Sequence, residues 1–133
     1  MIFWDACAVI YFVEGVSPWA GRLANRLLAL DAQYTGHAVS QLSWLECRVK
    51  PLREDDVALL RRYEQFFARR DLIDLPVSRE IIQEAARLRA RLGLRTPDAL
   101  QAASARSLPE PRVFVTNDAV FKRVPDLDVV LLG

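Results

Sequence analysis

The chain has 133 residues, of which 52% are hydrophobic and 26% are charged, and its formal net charge is +1. This composition predicts one packed soluble domain over residues 1–133 and excludes a disordered chain. The apolar runs are broken by charges before the roughly 18 residues that a membrane span requires, and no basic signal peptide precedes the first of them, so we expect no membrane association and a cytoplasmic protein.

The first half of the chain predicts two strands and four helices. Met1 to Trp4 is a continuous apolar strand, and the helical stretch after it ends near Gly15. Ser17 and Pro18 are typical of a helix start, with serine as the capping residue and proline in the first turn. The elements predicted next are a strand at 37–39, a helix that Ser40 caps, and a helix over about 55–67.

The second half predicts a strand at 72–77 and a helix that begins after Ser78 and stops at Gly93. An alanine-rich helix from Asp98 to about 107, a strand at 112–116, one turn of helix and a strand at 129–132 complete the chain. Strands that alternate with helices favour a parallel sheet covered on both faces. We therefore predict the α/β class, a three-layer α/β/α sandwich with a central parallel sheet.

Apolar residues at helical spacing predict the buried face of each helix. For the helix after Ser40 the predicted stripe is Leu42, Leu45, Val49 and Leu52; for the next helix it is Val57, Leu60, Tyr63 and Phe67. Trp19, Tyr63 and Phe67 offer either core packing or a surface for a dimer or another partner, and core packing is the preferred interpretation.

Three aspartates stand where a strand gives way to a helix. Asp5 ends the first strand, Asp118 follows the strand at 112–116, and Asp98 lies at the start of a helix. Each has a simple alternative role, as a helix cap or as a favourable charge at a helix N-terminus. The carboxyl ends of parallel strands meet at one edge of a sheet, however, so these acids are expected to converge and to need a cation between them.

Glu46 is predicted to be the fourth acid of this group. It shares a helix ridge with Leu42 and Val49, and Arg48 points to another side of the helix. Burying a carboxylate without a partner costs free energy on the order of several kcal/mol. A metal ion shared with the three aspartates would remove that cost. Ligation by carboxylate oxygens selects Mg²⁺ or Mn²⁺ over zinc.

The sequence lacks the residues that other catalytic chemistries require. His37 is the only histidine, and the sequence contains neither a Gly-rich phosphate loop nor a Gly-x-Gly-x-x-Gly fingerprint. Cys7 and Cys47 do not have zinc-ligand spacing together with His37, and we expect both to be free thiols. A divalent ion that activates water requires no serine or histidine nucleophile.

Four segments together resemble the PIN-domain family, especially the VapC-type ribonuclease toxins of type II toxin–antitoxin systems. The segments are Asp5, Ser43-Trp44-Leu45-Glu46, Thr96-Pro97-Asp98-Ala99-Leu100 and Thr116-Asn117-Asp118-Ala119-Val120-Phe121. The resemblance implies a PIN-like fold and a Mg²⁺- or Mn²⁺-dependent endoribonuclease whose catalytic metal ligands are Asp5, Glu46, Asp98 and Asp118. It also implies a homodimer and inhibition by a small cognate antitoxin.

The chain departs from the family pattern at two positions. Cys7 stands where members commonly carry serine or threonine, and its softer sulfur would support the metal site less well. Gln101 stands where many members carry histidine. Thr116 and Asn117 match the pattern and are predicted to orient Asp118 and a substrate phosphate.

We therefore predict hydrolysis of RNA phosphodiester bonds by metal-activated water. Arg87, Arg91 and Arg95 fall in a stretch that contains no acid and are candidates for binding the RNA backbone; the alternative is a solvated helix face, which explains a single arginine better than it explains the set. Two alternatives remain open: a receiver-type phosphoacceptor signalling domain, which has a similar length and acid placement, and a catalytically silent PIN-like binding module.

Overall fold

Five short parallel strands form the centre of the computed structural model, which describes residues 1–133. The strands are β1 (Ile2–Trp4), β2 (His37–Ser40), β3 (Leu72–Leu75), β4 (Val113–Thr116) and β5 (Asp128–Leu131). The helices are α1 (Ala6–Glu14), α2 (Trp19–Leu30), α3 (Leu42–Arg53), α4 (Val57–Phe67), α5 (Arg79–Leu92) and α6 (Thr96–Arg106), and a 3-10 turn covers Ala119–Arg123.

The strand order places β1 at the centre of the sheet. The order is β3-β2-β1-β4-β5, and Phe3 pairs with Ala38 of β2 on one side and with Phe114 of β4 on the other. The chain moves outward from β1 to β3 and then returns to place β4 beside β1. In such sheets a crevice opens outside the carboxyl ends of the two strands where the order reverses. Here those strands are β1 and β4.

Helices cover both faces of the sheet, as predicted. Ile2 and Trp4 point to one face, where they pack in a core with α1, α2 and α4. Phe3 and Phe114 point to the other face and pack against α5 and α6; their rings stack with centroids 5.3 Å apart. Successive side chains of a strand alternate between faces, so each central strand supplies both cores. The three-layer α/β/α prediction is confirmed.

The predicted helix ends are mostly confirmed. Ser78 accepts a hydrogen bond from the backbone of Ile81, and Gly93 ends α5 with a left-handed φ of 67°. The prediction for Ser17 is wrong, because the capping position of α2 is Pro18 and no side chain caps this helix. The backbone N–H of Ala20 is satisfied instead by the carbonyl of Val16 at 2.7 Å.

The predicted buried face of α3 is wrong. Leu45, Val49 and Leu52 are 62%, 48% and 54% exposed, whereas the buried residues of this helix are Ser43, Cys47 and Pro51. Small side chains allow α3 to lie close against neighbouring elements, and hydrophobicity alone does not identify such a face. Glu46 consequently lies at the border of the buried face, half-buried, and not on an apolar ridge.

The core prediction for the aromatic residues holds. Tyr63 and Phe67 are 1% and 5% exposed, and Trp19 is half-buried and stacked on Tyr11. The stripe predicted for α4 is corrected in two respects: Val57 faces solvent and Leu60 is only partly buried, and the buried set is Leu59, Tyr63, Phe66 and Phe67. Both cysteines are free, as expected. None of the helices has the length and apolarity needed to cross a membrane.

Candidate active site at the carboxyl edge of the sheet

Two of the predicted acids lie at the crevice between β1 and β4. Asp5 directly follows β1, and its backbone N–H donates to the carbonyl of Val115 in β4 at 3.0 Å. Asp118 comes two residues after the end of β4. The strand pairing therefore fixes the two chain segments that carry these aspartates side by side.

Asp5 is the most constrained of the four acids. It is 9% exposed, and its Oδ1 accepts a hydrogen bond from the backbone of Ala6 at 2.8 Å, so it also caps α1. Its Oδ2 accepts a bond from the Thr116 hydroxyl at 2.7 Å and a weaker one from the Cys7 thiol at 3.6 Å. Burial raises the pKa of Asp5 to about 6, although these hydrogen bonds to the carboxylate act in the opposite direction.

Thr116 connects the two aspartates. Its hydroxyl oxygen donates to Asp5 and accepts a hydrogen bond from the backbone N–H of Asp118 at 3.1 Å. The carboxylate of Asp118 is exposed and accepts from the backbone of Val120 at 2.9 Å, which begins the 3-10 turn. The amide of Asn117 donates to the Tyr11 hydroxyl at 3.2 Å, so this side chain is directed at α1 and not at Asp118.

Cys7 occupies the position where a hydroxyl was expected. Its sulfur lies 3.6 Å from Asp5 Oδ2 and 3.8 Å from the Thr116 hydroxyl. Burial and the neighbouring charge of Asp5 raise the pKa of the thiol to about 12. The group is therefore a protonated S–H that donates weakly to Asp5, and a thiolate is disfavoured here.

Gln101 donates a hydrogen bond to Glu46. The sequence pattern did not assign this role to it. Gln101 is 1% exposed, and its Nε2 donates to Glu46 Oε1 and to the Ser43 hydroxyl, each at 3.0 Å. Its own Oε1 is buried without a hydrogen-bond partner. A glutamine three residues after Asp98 in a helix of small residues shares a face with that aspartate, and this spacing is the signal that could have identified it.

Asp98 lies in the first turn of α6 beside an arginine. Its Oδ2 is 3.8 Å from Nε of Arg95, whose side chain is 82% exposed. Burial raises the pKa of Asp98, the Arg95 guanidinium lowers it, and the charge of Asp118 raises it. The charges of Arg95 and Asp118 thus act on the pKa of Asp98 in opposite directions.

The charge of each acid affects the pKa of a neighbouring acid in the site. The charge of Glu46 helps to raise the pKa of Asp5, and Asp98 helps to raise that of Glu46, for which burial is the main cause. Asp118 acts on Asp98 in the same way. Arg95 is the cation whose charge opposes this repulsion, at both Glu46 and Asp98. The four carboxylates are therefore linked pairwise through the effect of each charge on the pKa of the next acid.

The donor set fits a hard divalent cation in its chemistry: four carboxylates, partly desolvated and mutually repelling, with one exposed arginine beside them. No three histidine, cysteine, aspartate or glutamate side chains stand close enough together to enclose an ion in their present positions. The residues that could hold an ion are therefore Asp5, Glu46, Asp98 and Asp118, in an open arrangement.

Of the three arginines predicted to bind RNA, Arg95 alone lies at the acids. Arg87 pairs with Glu84 at 3.1 Å, and Arg106 also reaches Glu84 at 3.4 Å. Arg91 is exposed near the end of α5. A cavity of about 600 Å³ lies between the 110–112 and 126–128 segments, at the amino ends of β4 and β5 and hence at the opposite edge of the sheet.

Comparison with known proteins places the chain among proteins with the same architecture. The family model of the PIN domain matches residues 2–127. A toxin–antitoxin complex from Klebsiella pneumoniae is similar at a TM-score of 0.75 and 20% identity, over 100% of this chain and 98% of the other. VapBC2 from Rickettsia felis, bound to a DNA fragment from its promoter, gives 0.75 and 21% over 98% of both chains. FitAcB from Neisseria gonorrhoeae gives 0.63 and 16% over 99% and 98%. None of the curated proteins matches the chain.

Proposed function

The chain belongs to the PIN domain family, and from that premise we propose that it is a divalent-metal-dependent endoribonuclease, the toxin of a toxin–antitoxin pair. Nuclease activity is typical of this family. The observation that supports the proposal is the position of Asp5 and Asp118 at the switch point of the sheet, where the Thr116 hydroxyl forms hydrogen bonds with both residues. The charges of the four acids also act on one another's pKa. Family membership removes the receiver-type alternative.

In this proposal Asp5, Glu46, Asp98 and Asp118 hold one or two Mg²⁺ or Mn²⁺ ions. When bound, such an ion supplies positive charge that polarises a phosphoryl oxygen and lowers the pKa of a water molecule. Asp118 is exposed and Asp98 is half-buried, so both side chains have more freedom to adjust to an ion than Asp5, whose two oxygens are held by hydrogen bonds.

The residues around the acids have positioning roles. The Thr116 hydroxyl and the Ala6 backbone fix both oxygens of Asp5, and Gln101 fixes one oxygen of Glu46. Groups that orient metal ligands in this way commonly affect metal affinity by about 10- to 100-fold. The reaction assigned to the site is hydrolysis: water adds to phosphorus and the bond to one bridging oxygen of RNA breaks.

The proposal includes protein partners. The structural relatives were solved as toxin–antitoxin complexes, and we infer a cognate antitoxin and a homodimer for this chain. Support comes from α3, where Leu45, Val49 and Leu52 form a stripe at spacings of four and three residues that is about half exposed or more. Exposed apolar stripes of this kind often mark protein contact surfaces.

RNA cleavage by the purified chain tests the enzymatic part. We expect cleavage with Mg²⁺ or Mn²⁺, loss of cleavage with chelator, and no cleavage by Asp5→Asn in either condition. Asp128→Asn is the matched control, because Asp128 is an exposed aspartate at the opposite edge of the sheet. Cleavage that persists in chelator, or wild-type turnover by Asp5→Asn, would contradict the proposal.

A catalytically silent PIN-like binding module is the second candidate. The observation in its favour is that no three potential ligands are grouped tightly enough to enclose an ion. Titration of the chain with Mn²⁺ separates the two candidates. Binding that Asp5→Asn abolishes supports the nuclease, and the lack of any Mn²⁺ binding supports the silent module.

A further inference from the structure

Arg95 has a fixed backbone and an exposed side chain. Its backbone is fixed, because Arg89 donates to the carbonyl of Leu94 at 3.0 Å and to the hydroxyl of Thr96 at 2.8 Å. These two residues flank Arg95 in the chain. Its side chain, in contrast, is 82% exposed and makes one loose contact, at 3.8 Å, with Asp98.

The guanidinium of Arg95 lies beside one of the four acids. Its Nε is 3.8 Å from Oδ2 of Asp98, in the first turn of α6. No other ion pair of the structure involves Asp5, Glu46, Asp98 or Asp118. The guanidinium is thus a single positive charge, tethered at the mouth of the site, that partly offsets the repulsion among the carboxylates.

A divalent ion bound by the same carboxylates would meet the same charge. Like charges that share a ligand oppose each other, so the guanidinium and the ion compete for Asp98. Because the arginine is long, exposed and weakly held, it yields without unfolding any element. Building on the proposed function, we propose that Arg95 is a built-in counter-ion that competes with the divalent metal for Asp98 and so sets the metal concentration that the site requires.

A counter-ion and a merely structural residue differ in the direction in which their removal changes the affinity for metal. Removing the guanidinium should raise the affinity for metal, whereas removing a residue that merely supports the site should lower it. The expected size follows from the strength of an exposed ion pair, which corresponds to about a two- to fivefold change in a binding constant. Arg95 occupies the capping position of α6 without a side-chain capping bond, so Arg95→Gln removes no cap.

Calorimetric titration with Mn²⁺ at low salt tests the inference on five proteins: wild type, Arg95→Gln, Arg95→Lys, Arg61→Gln and Asp5→Asn. We expect Arg95→Gln to bind Mn²⁺ two- to fivefold more tightly than wild type and Arg95→Lys to bind close to wild type. Arg61 is exposed on α4, and its replacement controls for the loss of one positive charge elsewhere.

The outcomes separate this inference from the proposed function. If the wild type binds Mn²⁺ and Asp5→Asn does not, the metal site stands independently of Arg95. Equal or weaker affinity in Arg95→Gln would then overturn the counter-ion role alone, as would an equal gain in Arg61→Gln. Absence of Mn²⁺ binding by the wild type would overturn both.

Discussion

Replacement of Asp5 by asparagine should stabilise the metal-free protein at neutral pH, although it should abolish cleavage. Asp5 is 9% exposed, and its pKa is raised from 3.8 to about 6. A shift of about 2 units corresponds to about 3 kcal/mol between the two protonation states. A carboxyl whose pKa is higher in the folded chain binds its proton more tightly there, so protonation stabilises the fold and ionisation weakens it.

The pH window follows from this sign. The stabilisation by the Asp5 proton is complete below about pH 3.8 and is lost as the pH rises through about 6. Asparagine keeps an acceptor for the Ala6 N–H and offers its own amide to the Thr116 hydroxyl, so little is lost. We expect Asp5→Asn to be more stable than wild type by about 1–3 kcal/mol at pH 7.5, and the gain to disappear near pH 4.

Urea denaturation in the presence of chelator measures this difference at both pH values. Asp128→Asn is the control, since an exposed aspartate at the opposite edge should change stability by no more than about 0.5 kcal/mol. A variant that is less stable than wild type at pH 7.5, or a difference that does not change with pH, would show that the Asp5 carboxylate is not under the electrostatic strain inferred here.

Three further predictions concern the groups around Asp5 and Glu46. Gln101→Leu should weaken Mn²⁺ binding by about 10- to 100-fold, because Glu46 loses the amide that holds it, and unchanged affinity by calorimetry would count against that role. Thr116→Val should lower stability by about 1–3 kcal/mol in urea denaturation, since buried Asp5 Oδ2 loses its strongest donor; a smaller loss would indicate that water replaces the hydroxyl. Cys7, with its pKa raised to about 12, should react with iodoacetamide at pH 8 at least about 100-fold more slowly in the folded chain than in urea, as followed by mass spectrometry; equal rates would mean that the thiol is not shielded.

The sheet and the placement of the aspartates were predictable because they depend on local patterns. A short apolar run followed by an acid identifies a buried strand and its carboxyl end, and a parallel sheet brings such ends to one edge. Asp5 and Asp118 therefore lie where the sequence predicts. Ser78 and Gly93 likewise set the ends of α5 through local hydrogen bonding and backbone conformation.

The surroundings of Glu46 were harder to predict, because they depend on contacts between distant segments. Leu45, Val49 and Leu52 suggested a buried face by hydrophobicity, but α3 packs through Ser43 and Cys47. The partner of Glu46 is Gln101, which lies 55 residues away in the sequence. Periodicity within one helix contains no information about such a pair, and for this reason the interpretation of Glu46 needed correction.

Asp5, Glu46, Asp98 and Asp118 are proposed to share one cation site. Anomalous diffraction from crystals grown with Mn²⁺ locates the ion itself and therefore shows whether this site exists. We expect a manganese peak at the carboxyl edge of the sheet, within ligand distance of Asp5 and of at least one of the other three acids. Well-ordered crystals with no peak there at saturating Mn²⁺, or with manganese bound only at the opposite edge near Asp126 and Asp128, would contradict it.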